Sequence, residues 1–271
     1  MSLFWLRFAL VFYSVAVLYA LVALVRHGER MSRFTMPAVF LGGIFHFVSI
    51  VEGITTSGHL VPASLHQSES LLAFMLVVVT GIVYGVYKTT TPGLFVFPVV
   101  FVLSLAAAIG ADPPQIESKL LRNWWLFSHI ALIFTGYAAL AFSFVASLLY
   151  IVQSRSLKSK VPSGWAEKLP PLQTIDDIGY RSLLVGFPFM TFGLIAGTVV
   201  ARSAYGPEYF FDPKIVLSLL MWAVYMVLLF ARWTVGWRGR RAAYLSTFAF
   251  IAALGAWAAN YTSEFHRFLR P

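Results

Sequence analysis

The sequence predicts an all-α, polytopic membrane protein, a bundle of eight transmembrane helices with both termini outside. Three observations lead there. Of 271 residues, 59% are apolar and only 11% are charged, whereas a water-soluble globule carries about 25% charged residues. The apolar residues gather into eight long runs, and at roughly 20 residues per span these leave no length for a large aqueous domain. Lys and Arg, finally, are shared unevenly between alternate connections. The composition excludes a conventional soluble enzyme, and the formal net charge of +9 is read through membrane topology rather than as nucleic-acid binding.

The first span covers about residues 3 to 25. Its apolar core is too long for a secretory signal peptide, and Arg26, Arg30 and Arg33 follow it directly, so it is read as a retained span. The second, about 35 to 54, carries His46 near its middle, where an ionisable group is costly and a functional candidate by default. Spans three and four cover about 70 to 88 and 93 to 110, and span five about 125 to 152. The longest connection follows, about 153 to 181, with Pro162, Pro170, Pro171 and the charged stretch SRSLKSK, which is read as resting near anionic headgroups. Spans six, seven and eight cover about 182 to 203, 214 to 232 and 242 to 262. The connections after spans one, three, five and seven hold thirteen of the twenty Lys and Arg residues and are therefore expected to face the cytosol.

With no cysteine there is no disulfide, iron–sulfur cluster or thiolate metal site. Metal or haem chemistry has to rest on six histidines, seven methionines and a few carboxylates. His59 and His66 lie in the outer loop between spans two and three, and His27 is alone on the cytosolic side. His129 sits one turn inside the outer end of span five, and His266 follows the outer end of span eight. Two imidazoles from different helices meeting at one face suit a six-coordinate haem iron, although the same positions also suit interfacial polar groups.

The outer loop at about 201–214, ARSAYGPEYFFDPK, places Tyr205, Tyr209, Phe210 and Phe211 around a turn set by Gly206 and Pro207. Flat rings of this kind form either a shelf for a planar macrocycle or an aromatic belt at the membrane interface. Arg202 and Lys214 flank the loop, as carriers of propionate carboxylates or as membrane anchors. Asp212 reads as a helix N-cap with Pro213 at the first helical position. Glu69, after PASLHQS, either caps helix three or bonds across the outer face.

Taken together, these stretches resemble the haem-handling membrane proteins of cytochrome c assembly, the CcsA/CcmC superfamily, and most closely its HemX-like, CcsA-related branch. SGHLVPASLHQSES is similar to the family's outer loop ending in Asn-x-Tyr-Glu-Ser and places Glu69 on the family glutamate. NWWLFSHIALIFTGYAALAFSFVASLLYIVQ resembles the segment with the first external haem-ligand histidine, which falls on His129. DDIGYRSLLVGFPFMTFGLIAGTVVA resembles the helix-six region, and NYTSEFHRF puts the second external ligand on His266. AYGPEYFFDPK stands in place of the family's tryptophan-rich loop: Tyr205, Tyr209 and Phe211 replace tryptophans, Asp212, Pro213 and Lys214 are kept, and Ile215 replaces a glutamate. At the end of helix seven, Phe230 stands where such proteins carry a membrane histidine.

The resemblance implies a single transmembrane haem-handling domain over residues 1–271 in the cell inner (plasma) membrane. It would hold haem b on the periplasmic or extracellular side, with His129 and His266 as axial ligands, for delivery or export in cytochrome c maturation. Glu69, Arg202, Tyr205, Tyr209, Phe210, Phe211, Asp212 and Lys214 would complete the site. The implied partners are haem, the lipid bilayer, and other cytochrome c assembly proteins or an apocytochrome c, with no nucleic acid. Binding rather than stand-alone catalysis would be its chief act. Two other readings are a HemX-like regulator of glutamyl-tRNA reductase level, transmitting through the 153–181 loop, and a small-solute secondary transporter. His46, lacking the helix-seven partner, is expected to be satisfied by a helix-to-helix hydrogen bond rather than by a second haem.

Overall fold

A computed structural model describes residues 3–25, 29–110, 123–159, 169–205 and 210–258. These form eight helices, with no strand among the described residues: α1 Leu3–Val25, α2 Glu29–Ser57, α3 Leu65–Tyr87, α4 Thr91–Ile109, α5 Trp124–Ser159, α6 Leu172–Tyr205, α7 Pro213–Thr234 and α8 Arg240–Ala258. Seven of them, α1 to α7, are long and apolar enough to cross a membrane. The eighth, α8, opens on Arg240 and Arg241.

The chain divides into two compact units, Met1–Asn123 and Trp124–Pro271. In the first, α1 lies along α2 and also against α4, while α3 packs on α4 and α2. The buried residues of α1 are Leu6, Ala9, Tyr13, Ala16 and Ala20, a spacing of three and four that gives one narrow stripe for helix contact. Phe4, Phe8, Val11, Leu18 and Leu21 point away from that stripe and are exposed, as lipid-facing side chains must be in a solvent as apolar as they are. Phe45 of α2 stacks between Trp5 and Phe12 of α1, with ring centroids 5.8 and 5.5 Å away.

In the second unit α5 and α6 form the most extensive pair, α8 packs on α5 and α7, and α7 touches α6. Its core holds Leu140, Leu183, Met190, Met221, Tyr225 and Leu228. Small residues bring α5 and α6 together: a Cβ at Gly136 would stand 3.1 Å from the Met190 backbone nitrogen, and one at Gly186 would stand 3.1 Å from Ala139 Cβ. Within a bilayer such close approach supplies the packing that water-driven burial cannot.

Both α5 and α6 run further than their apolar stretches. α5 continues to Ser159 and α6 begins at Leu172, so the two ends of the expected 153–181 connection are helical and only residues 160–171 lie between the helices. Hydropathy misses these ends because they are amphipathic. Ile175 and Ile178 are buried on one face of α6, and the Gln153 side-chain amide donates to the Pro170 carbonyl at 3.1 Å. The expected 201–214 loop shortens in the same way, to residues 206–212 between α6 and α7.

Candidate functional site

His129 is the sixth residue of α5 and is half-buried against α6. Its Nδ1 lies 2.7 Å from the Gly193 carbonyl oxygen. A carbonyl can only accept, so Nδ1 carries the proton and Nε2 keeps its lone pair. Among the described residues no group hydrogen-bonds Nε2. The ring sits in a notch one turn further along α6, where a Cβ on Gly197 would stand 2.6 Å from both Cε1 and Nδ1. Gly193 and Gly197 therefore do two things at once. They let α6 approach the ring, and they offer the carbonyl that sets its tautomer, the outer partner that a metal-ligating imidazole characteristically has.

At the start of α7, Asp212 is the N-cap, accepting from the Lys214 backbone N–H at 2.9 Å, with Pro213 inside the first turn. The Lys214 ammonium lies within electrostatic reach of Asp212 and of His129. One cation and the imidazole are thus brought to the same end of this unit. Arg202 is exposed in the last turn of α6, where a cation complements the helix dipole. Phe210 and Phe211 form a short turn before Asp212 and are 47% and 87% exposed. His266, Tyr209 and the side chain of Tyr205 lie outside the described residues.

Glu69 belongs to the first unit. Ser64 caps α3, accepting from the Gln67 N–H at 3.2 Å, while the Gln67 side chain accepts from the Ala63 N–H at 2.8 Å. This is a variant of the reciprocal capping box, and it leaves Glu69 without a capping role. Its carboxylate pairs instead with His66 Nδ1 at 3.3 Å, three residues back on the same helix.

His46 is fully buried, and both ring nitrogens are engaged: Nδ1 with the Tyr13 hydroxyl at 3.1 Å and Nε2 with the Ser70 hydroxyl at 2.8 Å. The helix-to-helix hydrogen bonding expected of this residue is present twice over, tying α2 to α1 and to α3. Phe230, which the resemblance would set where such proteins carry a membrane histidine, is 63% exposed. His46→Leu would strand two buried hydroxyls, at a cost of about 1–3 kcal/mol for each, whereas His46→Gln can still bond one or both. Thermal unfolding in detergent should show a clear drop for Leu and a smaller one for Gln; equal drops would mean that packing, and not the hydrogen bonds, holds the three helices.

Sequence reasoning passed over Gly193 and Gly197, although their signal was present as Gly-Leu-Ile-Ala-Gly within an apolar helix, the small-xxx-small pattern of close helix approach. It also passed over Asp176 and Arg232, 56 residues apart, whose bidentate pair lies under the Tyr180 ring, with the guanidinium carbon 4.2 Å from the ring centre. No local pattern announces a partner that distant.

The Cytochrome C assembly protein family matches residues 62–257, a stretch that includes Glu69, His129 and the loop before α7 but stops short of His266. Among curated proteins, the chain is 25% identical over 268 residues to a cytochrome c biogenesis protein CcsA of Prochlorococcus marinus subsp. pastoris, covering 90% of this chain and 85% of the relative. It is 30% identical over 216 residues to the protein of that name from Guillardia theta, covering 72% and 71%. It is 26% identical over 225 residues to that of Heterosigma akashiwo, covering 69% of each. With most of its length matched and its helices suited to crossing a membrane several times, the chain belongs to the cytochrome c assembly protein family.

Proposed function

We propose that this protein acts in cytochrome c biogenesis by holding haem b at the outer face of the inner (plasma) membrane, for delivery or export. In this reading residues 1–271 work as a single domain of eight spans, with both termini outside. The observation that carries it is the His129 ring, whose Nδ1 is committed to the Gly193 carbonyl and whose Nε2 is left with a free lone pair. That is the state in which an imidazole binds iron. His266 would be the second axial ligand. Tyr205, Tyr209, Phe210 and Phe211 would meet the porphyrin plane, and Arg202 and Lys214 would meet the propionates through charge-assisted hydrogen bonds. Asp212 holds the start of α7, and with it Lys214, in register, and Glu69 would be a further cofactor-binding residue. Haem supplies the redox-active iron that a cytochrome needs; the protein supplies ligands, an apolar shelf and charge neutralisation. An apocytochrome c or other assembly proteins would be the recipients. His46, with both nitrogens occupied, serves as a structural tie and not as a ligand to a second haem.

The test is the visible spectrum of the purified, detergent-solubilised protein. A low-spin bis-histidine spectrum is expected in the wild type, weakening in His129→Ala and in His266→Ala alike, with loss of haem per protein. Unchanged spectra and haem content in both variants would remove the ligand assignment. A haem-to-protein ratio near two that falls to one in His46→Gln would overturn the single-haem reading.

A further inference from the structure

Five cations lie at the end of α5 and at or just before the start of α8, two helices that pack together. The Arg155 guanidinium of α5 donates to the Tyr244 hydroxyl of α8 at 3.1 Å, and Arg240 opens α8 one turn before Tyr244. A hydroxyl accepts the Arg155 bond without neutralising its charge. The Nε of Arg240 is buried and makes no hydrogen bond. Lys158 lies one turn beyond Arg155, and Lys158, Arg238 and Arg241 are exposed. Asp176 is committed to Arg232 and Asp177 to Arg181, and among the described residues none of the five cations has a carboxylate within ion-pair distance.

The cluster is held by a firm turn. Gly236 and Gly239 take φ values of +70° and +68°, the left-handed region that glycine adopts without strain. The Gly239 N–H donates to Asp176 at 3.4 Å, and a Cβ there would stand 2.7 Å from the Tyr150 hydroxyl. This turn sets Arg238, Arg240 and Arg241 beside the end of α5.

Its depth is marked by its neighbours. Trp233 is 63% exposed and donates its indole N–H to the Tyr180 hydroxyl at 2.8 Å. Exposed amphipathic rings of this kind occupy the membrane–water boundary. Leu157 and Val235, exposed between and beside the cations, offer apolar surface to an acyl chain. A phosphate attached to hydrocarbon satisfies both halves of this surface; a free phosphate satisfies one.

We infer that the patch formed by Arg155, Lys158, Arg238, Arg240 and Arg241 is a binding site for the phosphate of an anionic phospholipid headgroup. The site is separate from the proposed haem ligands, and its test does not depend on them. Purified protein equilibrated with mixed phosphatidylglycerol and phosphatidylcholine should retain phosphatidylglycerol selectively in native mass spectrometry. The variant Arg155→Gln/Arg238→Gln/Arg241→Gln should lose that selectivity by about tenfold or more, since each cation near an anionic surface contributes a factor of about five. Arg7→Gln/Lys88→Gln, equal in kind but placed in the first unit, should keep it. Excess glycerol 3-phosphate should leave the retained lipid in place. Undiminished selectivity in the triple variant would overturn the proposal and leave the patch to an acidic protein surface. Displacement by glycerol 3-phosphate would overturn the lipid as its source. Helix content and monodisperse elution check that the variant is folded; should it not be, the exposed single change Arg241→Gln carries the comparison, with a loss of about fivefold expected.

Discussion

Asp176→Ala should cost this protein about 1.5–3 kcal/mol of stability, the usual worth of hydrogen bonds to a charged group, because it leaves the part-buried Arg232 guanidinium without its carboxylate. Arg232 is only 9% exposed; its Nη1 and Nη2 donate to the two Asp176 oxygens, and its guanidinium lies over Tyr180. Arginine does not shed its proton to escape such a site. The Gly239 N–H would also lose its acceptor, so the α7–α8 turn would loosen with the pair. Asp176→Asn keeps hydrogen bonding but loses charge and should fall between. The double change Asp176→Leu/Arg232→Met removes both charges and should recover most of the loss. Thermal unfolding in detergent separates these outcomes: a double variant as unstable as the single one would show that shape at this junction, rather than unpaired charge, is what matters.

The second large effect is expected at Gly197. Even alanine there would place a methyl 2.6 Å from the His129 ring, a distance that real side chains do not tolerate, and leucine would displace the ring altogether. Displacement breaks the bond to Gly193, and loss of such an outer partner lowers metal affinity by about 10–100-fold. If His129 ligates haem as proposed, haem per protein in Gly197→Leu should therefore approach that of His129→Ala, although residue 129 itself is untouched. Gly85→Ala, at a position with nothing within 4 Å, should retain haem fully. If Gly197→Leu remains monodisperse, helical and haem-replete, the notch does not orient the ring.

Much of this architecture is legible in the sequence because hydrophobicity dominates in a bilayer. The first helix occupies the residues its apolar run marks, Leu3–Val25, and Asp212 caps α7 as Asp-Pro predicts. What hydropathy could not see were the amphipathic ends of α5 and α6, whose polar residues dilute the signal while one face still packs. Nor could it choose between the two roles open to Glu69. The folded chain takes neither: Ser64 and Gln67 make the cap, and the Glu69 carboxylate pairs with His66 on its own helix. A buried histidine at midspan forecasts that it must have partners; that they are Tyr13 and Ser70, 33 and 24 residues away, is a property of the folded chain alone. For the candidate site, the residue types were readable in His129 and the Asp-Pro-Lys segment. The orientation of the imidazole required the neighbouring helix.

The bond from His129 to Gly193 makes α6 a measuring rod. A helix advances about 1.5 Å per residue, so sliding α6 by a single residue would carry the Gly193 oxygen out of reach of a ring it now meets at 2.7 Å. Seventeen residues earlier, about 25 Å along the axis, the same helix is clamped through Asp176 to Arg232. Between the two fixed points stands Pro188, which lacks the N–H that would bond the carbonyl four residues back and so leaves the rod one place to flex. Axial drift is thereby stopped at both ends and bending is confined to the middle. The imidazole keeps its heading through the rigidity of a helix rather than through a dedicated side chain.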